Sequence, residues 1–170
     1  MRRIVVTGAN GSGKSHLAER LHRVRPDVPV VSLDRLKLTT GWQVRPRDDV
    51  QADLARALAA EMWILECGPS GLPVALDRAE AVIWLEPGLA RRGWRLFARP
   101  LRFLGRTRPE LPEGNPDRLW MQWRFGARSL WRDRRFAEAI AGTLEGYDGP
   151  VHRCRSARDV EDAVALWKRG

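Results

Sequence analysis

Gly8-Ala9-Asn10-Gly11-Ser12-Gly13-Lys14-Ser15 fills every fixed position of the pattern G-x-x-x-x-G-K-[ST]. Context separates a phosphate cradle from an ordinary Gly-rich turn. Residues 3–7, Arg-Ile-Val-Val-Thr, read as a buried strand just before the pattern, and Leu17, Leu21 and Val24 recur at helical spacing just after it. A strand–loop–helix joint of this kind turns successive backbone N–H groups toward phosphate oxygens, and the helix N-terminus adds positive partial charge. Gly8, Asn10, Gly11, Ser12 and Gly13 would form the cradle. Lys14 would bridge the β- and γ-phosphates, and Ser15 would offer its hydroxyl to Mg2+. The pattern therefore predicts a bound nucleoside triphosphate, with ATP and Mg2+ as the expected cofactors.

At 170 residues the chain has the size of one domain, enough for a sheet covered on both faces, so residues 1–170 are read as a single unit. Cys67 and Cys154 lack C-x-x-C spacing, which predicts two free thiols in a reducing, cytoplasmic setting. No apolar run approaches the roughly 18 residues of a membrane span, so no membrane partner is expected. The formal net charge of +9 is local: residues 88–135 carry 13 arginines against Glu110, Glu113, Asp117 and Asp133. With 27 arginines and 3 lysines, the chain prefers arginine throughout, yet that preference does not explain the clustering. A local arginine cluster points to phosphates.

Five short apolar runs, at 3–7, 29–33, 62–66, 81–85 and 150–154, alternate with helical patterns, which predicts an α/β fold with a parallel sheet. Val50, Leu54 and Leu58 mark one face of a helix at 48–60. Ser156-Ala157-Arg158-Asp159 opens a last helix running to Trp167 with an acid placed to complete its cap. After the fourth strand the alternation breaks, and a lid segment is expected at about 88–118. There Trp94, Phe97, Leu101 and Leu104 form an apolar stripe beside a row of Arg95, Arg99, Arg102 and Arg106, with Pro100 expected to kink or interrupt the helix. The stretch 106–116, rich in proline and glycine, suits a surface excursion. A second helix from about residue 117 carries Trp120, Trp123, Ala127 and Trp131, read as packing residues or as an oligomer contact.

Ligands of open parallel sheets lie beyond the carboxyl ends of the strands. What stands there is the phosphate loop, Asp34, Glu66, Glu86 and Arg155. Phosphoryl transfer needs a held metal, an oriented acceptor and positive charge on the moving group. Ser15 and Glu66 are the candidate metal-holding residues, and Asp34 is the candidate to orient or deprotonate the acceptor. The arginines from 95 to 108, Arg102 included, fit a lid that closes over the phosphates, and Arg95, Arg99, Arg106 and Arg108 are the candidates to bring charge to the transition state. Glu86, before Pro87-Gly88, reads as a solvated turn residue, and His16, His22 and His152 show no metal spacing. Neither N-K-x-D nor a D-x-x-G after the third strand is present, which turns the reading away from guanine-nucleotide switches.

Four stretches together resemble the adenylate-kinase-related P-loop kinases, and among them the bacterial DNA topology modulation proteins of FlaR type. They are residues 8–15, Ser32-Leu33-Asp34-Arg35-Leu36 with Gly41-Trp42, Gly105-Arg106-Thr107-Arg108-Pro109-Glu110-Leu111-Pro112-Glu113-Gly114, and residues 153–159. The resemblance implies a five-stranded parallel sheet of order 2-3-1-4-5 with helices on both faces and a helical lid. It also implies that Arg95 and Arg99 match paired lid arginines that contact phosphates, and that residues 155–157, Arg155 included, lie near the adenine. Where such proteins read Asp-Gly-Asn-Tyr after the third strand, this chain has Glu66-Cys67-Gly68-Pro69, and His16 stands for the usual threonine.

The expected activity is an ATP-dependent transfer of the γ-phosphoryl group to a small acceptor, a nucleoside or nucleotide. The alternative is a nucleotide-dependent DNA- or RNA-binding protein whose 88–135 segment tracks a phosphate backbone. A kinase acting on a polynucleotide end joins the two. The motifs favour the small acceptor over nucleic acid as partner.

Overall fold

The computed structural model describes residues 1–108 and 111–169; Pro109 and Glu110 of the distinctive motif lie outside the described residues. Strand β1 (Arg3–Gly8) sits at the centre because Ile4, Val5 and Val6 are apolar in succession and can be covered on both faces. Ile4 and Val6 pack with Leu17, Leu21, Ile64, Ile83 and Trp167 on one side. On the other, Val5 meets Leu54, Trp63, Leu65, Val82, Trp84 and Ile140. Strands β2 (Val30–Ser32), β3 (Trp63–Cys67), β4 (Ala81–Leu85) and β5 (Val151–Cys154) complete a five-stranded parallel sheet of order β2-β3-β1-β4-β5. This is the expected α/β architecture and strand order. Edge strand β2 is shorter than the apolar run 29–33 because Leu33 already opens a helix.

Helix α1 (Lys14–Val24) leaves the phosphate loop, α2 (Leu33–Lys37) follows β2, and α3 (Arg47–Leu58) buries the expected Val50, Leu54 and Leu58. Helix α4 (Leu72–Leu76) precedes β4. Helices α5 (Leu89–Arg102), α6 (Leu119–Trp131) and α7 (Asp133–Leu144) lie between β4 and β5, and α8 (Ala157–Arg169) ends the chain. Asp159 accepts the Ser156 and Arg155 N–H groups, each at 2.8 Å, while Ser156 Oγ accepts the Asp159 N–H at 3.2 Å, closing the predicted cap of α8. No described helix is long and apolar enough to cross a membrane.

Helices α5 and α6 depart from the expected pattern. Pro100 sits in the last turn of α5, which runs unbroken to Arg102, so Arg95, Arg99 and Arg102 share one helix and only Arg106 lies beyond it. The buried face of α5 is Arg92, Leu96 and Pro100, while the apolar stripe of Trp94, Phe97, Leu101 and Leu104 is exposed. Helix α6 likewise buries Gln122, Gly126 and Ser129 and leaves Trp120 at 71% and Trp131 at 81% exposure, so packing does not account for these tryptophans. The reason is that α5 is held by the phosphate loop through Leu96 and Arg92, which fixes its rotation whatever its apolar stripe. Phe97 and Trp123 then stack on each other, with centroids 5.0 Å apart and planes 3° from parallel.

Both cysteines are buried and unpaired by any disulfide. Burial pushes the Cys67 thiol up to about 12, with the Glu66 charge adding to it, and burial with the Asp159 charge lifts Cys154 to about 11. Since the thiolate is the reactive form, native protein treated with iodoacetamide at pH 8 is expected to stay unmodified by mass spectrometry, while urea-unfolded protein takes up two alkyl groups. Rapid native alkylation would contradict this packing.

Candidate active site

The phosphate loop is shaped by what surrounds its glycines. At Gly8 a Cβ would stand 2.5 Å from Leu85 O and 2.8 Å from Ser12 Oγ, and at Gly11, where φ is +77°, it would stand 2.8 Å from Leu96 Cγ. Only glycine meets both demands. Ser12 N–H closes the turn on Ala9 O at 3.1 Å, and Leu17 N–H donates to Gly13 O at 3.0 Å as α1 begins. The Ser12 hydroxyl is buried and has no hydrogen-bond partner among the described residues. A loop that excludes Cβ atoms and keeps an unpaired buried donor has the chemistry of an anion cradle.

Lys14 leaves this loop nearly buried. Its Nζ donates to Ala9 O at 3.4 Å and lies 4.0 Å from Glu66 Oε1. Glu66, next to last in β3, stands in register with Val6 of β1 and Ser32 of β2, and its Oε2 accepts the Ser32 hydroxyl at 2.9 Å. A half-buried Ser15 completes a set of hard oxygen donors, hydroxyl and carboxylate, of the type Mg2+ takes beside phosphate oxygens. No group of three or more His, Cys, Asp or Glu forms a metal cluster among the described residues.

Helix α5 roofs the loop by direct contact. Arg92 Nε donates to Asn10 O at 3.0 Å while its guanidinium pairs with Asp133, and Arg95 Nη1 donates to Ser12 O at 2.8 Å. Between loop and roof lies a cleft of about 590 Å3. Asn10, Gly11, Ser12, Gly13, Lys14 and Ser15 line it from below, Asp34 and Glu66 from the strand ends, and Arg95, Arg99 and Arg108 from above. These predicted site residues therefore meet in one space. Gly8 stands behind it at the end of β1.

Besides Gly8, two predicted residues lie outside the cleft. Arg106 follows Gly105 in the turn past α5, is exposed, and does not line the cleft. Arg155 is exposed, donates to Glu86 at 3.2 Å, and borders a separate hollow of about 260 Å3 with Pro87 and Arg92. Glu86, expected to be merely solvated, holds both Arg153 and Arg155. Conversely, Trp94 and Phe103, to which sequence reasoning assigned no role in the site, line the cleft beside Arg102, and Arg92 braces the loop from a buried position. The i, i+4, i+8 spacing of Trp94, Ala98 and Arg102 could have placed them on one face. Nothing in the sequence links Arg92 to Asp133.

Solved structures match this architecture over nearly its whole length. A shikimate kinase from Bacteroides thetaiotaomicron is 18% identical, with 99% of this chain and 97% of that one covered and a TM-score of 0.54. The fold is that of the P-loop kinases. A gluconokinase from Sinorhizobium meliloti 1021 matches at 18% identity, with 99% and 92% covered and a TM-score of 0.58. A third structure, TT1252 from Thermus thermophilus, matches at 18% identity, with 97% and 95% covered and a TM-score of 0.56. No protein-family model and no curated protein matches the sequence.

The contact between Gly11 and Leu96 yields a direct test. Gly11→Ala forces a Cβ against Leu96 at a positive φ, and is expected to weaken binding of MgATP by about tenfold or more in calorimetric titration. Adding Leu96→Ala removes the obstructing side chain and should recover part of that loss. Unchanged affinity in Gly11→Ala would refute the close approach.

Proposed function

We propose that this chain is an ATP-dependent phosphotransferase that moves the γ-phosphoryl group to a hydroxyl or phosphate oxygen of a small acceptor, a nucleoside or nucleotide. The observation that carries the reading is the convergence of Lys14, Ser15, Asp34 and Glu66 with Arg95, Arg99 and Arg108 around one cleft. The kinase fold of the neighbours supports it.

In this reading the cradle and Lys14 hold the β- and γ-phosphates, while Arg95 leaves Ser12 O to meet phosphate oxygens. Mg2+, held at Ser15 and Glu66, would neutralise charge between the β- and γ-oxygens. Asp34, exposed at the start of α2, orients the acceptor oxygen and accepts its proton as the new P–O bond forms and the bond to ADP breaks. Arg99 and Arg108 carry charge to the transferring group. Arg106 and Arg155 enter the mechanism only if the lid or the ligand brings them closer, so the reading rests on the other residues.

Lys14→Ala and Arg99→Ala are each expected to lower turnover at least roughly a hundredfold, the scale of losing one electrostatic stabiliser. The measurement is ADP formation from MgATP across a panel of nucleosides, nucleotides and oligonucleotide ends. Unchanged ATP consumption in either variant would sink the assignment.

A second reading has an observation of its own. Helix α5 exposes Phe97, and α6 exposes Trp120 and Trp131, among arginines, a combination suited to stacked bases and a phosphate backbone. It predicts oligonucleotide affinity that falls steeply with salt. Tight single-strand binding without acceptor-stimulated ADP release would favour it.

A further inference from the structure

The stretch 105–117 is the most distinctive part of the sequence, and the reading above uses only Arg108 from it. Four of its described hydrogen bonds meet at Asn115, which is fully buried. Asn115 Nδ2 donates to Thr39 O and to Pro112 O, each at 3.0 Å, and its backbone N–H donates to Thr107 Oγ1 at 3.1 Å. Its Oδ1 accepts the N–H of Trp42, 73 positions away in the chain. Beside it Gly41 N–H donates to Gly114 O at 3.1 Å, and Trp42 Nε1 to Pro116 O at 3.2 Å.

These bonds fasten two segments with separate tasks. Residues 39–42 follow α2, the helix that carries Asp34, and residues 112–116 belong to the lid. The fastening holds Trp42 at a φ of +61°, a conformation that a bulky residue keeps only when its surroundings impose it. The Trp42 ring lies 5.6 Å from the Arg108 guanidinium carbon, and Arg108 Nε donates to Asp117 at 3.2 Å. Arg108 is thus set between a ring and a carboxylate at the edge of the cleft.

We propose that Asn115 is a positioning residue for phosphoryl transfer, joining the acceptor-side segment to the lid so that Arg108 is presented to the transferring group. The proposal rests on the phosphotransferase reading. Its physical basis is that a buried amide bonded to both segments penalises any movement of one without the other, since Thr39 O and the Trp42 N–H would lose their partner. The two segments therefore travel as one body when the lid moves over nucleotide.

Hydrogen exchange with and without MgATP, together with basal MgATP hydrolysis, tests this without a known acceptor. In the wild type MgATP should slow exchange at 8–15, 104–117 and 38–44. In Asn115→Ala, protection at 8–15 and MgATP affinity should stay within about twofold, the response at 38–44 should vanish, and kcat should fall roughly ten- to a hundredfold at unchanged KM. Asn115→Asp keeps the bond to Trp42 and loses the two donated bonds, so it should fall between. Combining Asn115→Ala with Arg108→Ala should be no worse than Arg108→Ala alone, because both remove the same contribution.

A 38–44 response that persists in Asn115→Ala, or losses that add in full with Arg108→Ala, would overturn the proposal. If Asn115→Ala does not fold, Trp42→Gly relieves the positive φ while deleting the ring beside Arg108, and wild-type hydrolysis in that variant would also overturn it. Failure of MgATP to protect 8–15 in the wild type is a different result. It would remove the phosphotransferase reading and this proposal with it.

Discussion

The packing of α5 against a phosphate loop too tight for side chains governs the rest of the site. Because Gly11 has no Cβ, Leu96 can close over it, and because Leu96 is there, Arg92 and Arg95 reach the Asn10 and Ser12 carbonyls. A helix seated this way has its rotation decided. Its cleft-facing edge must be Trp94, Arg95, Arg99 and Arg102, and its outward face must be Phe97 and Leu101 whatever solvent would prefer. The charge above the cradle therefore follows from steric demands at the loop rather than from amphipathic patterning of the helix.

Below the cradle, strand register does comparable work. Ser32, Glu66 and Val6 stand level across β2, β3 and β1, which brings one carboxylate within reach of Lys14 and of the residue that caps the helix bearing Asp34. Glu66 and the helix bearing Asp34 are thus linked through the sheet itself. A glutamate at this place reaches further than an aspartate could, and the Ser32 hydroxyl restrains the longer side chain.

Strands, loop and cap were legible because each rests on local chemistry: apolar runs bounded by turns, glycines at fixed offsets, and Ser156 three residues before Asp159. Lys14, Asp34, Glu66, Arg95, Arg99 and Arg108 could be assigned to one site since the carboxyl ends of parallel strands share an edge and the lid must face it. The buried face of α5 was not legible, because Trp94, Phe97 and Leu101 make the stronger apolar stripe and only the distant loop selects Leu96 instead. Asn115 was equally hidden. An asparagine after a glycine in a proline-rich stretch reads as a turn residue, and its partners at Thr39 and Trp42 are remote in sequence.

The distribution of tryptophan has an optical consequence. Of eight indoles, Trp63, Trp84 and Trp167 lie in the core, whereas the three widely exposed ones, Trp94, Trp120 and Trp131, all belong to helices α5 and α6. The molecule thus carries two spectrally separable populations, a blue-emitting interior and a red-emitting roof. Collisional quenchers in water reach chiefly the second, so the quenchable part of the intrinsic emission reports the roof against a shielded core, with no dye attached.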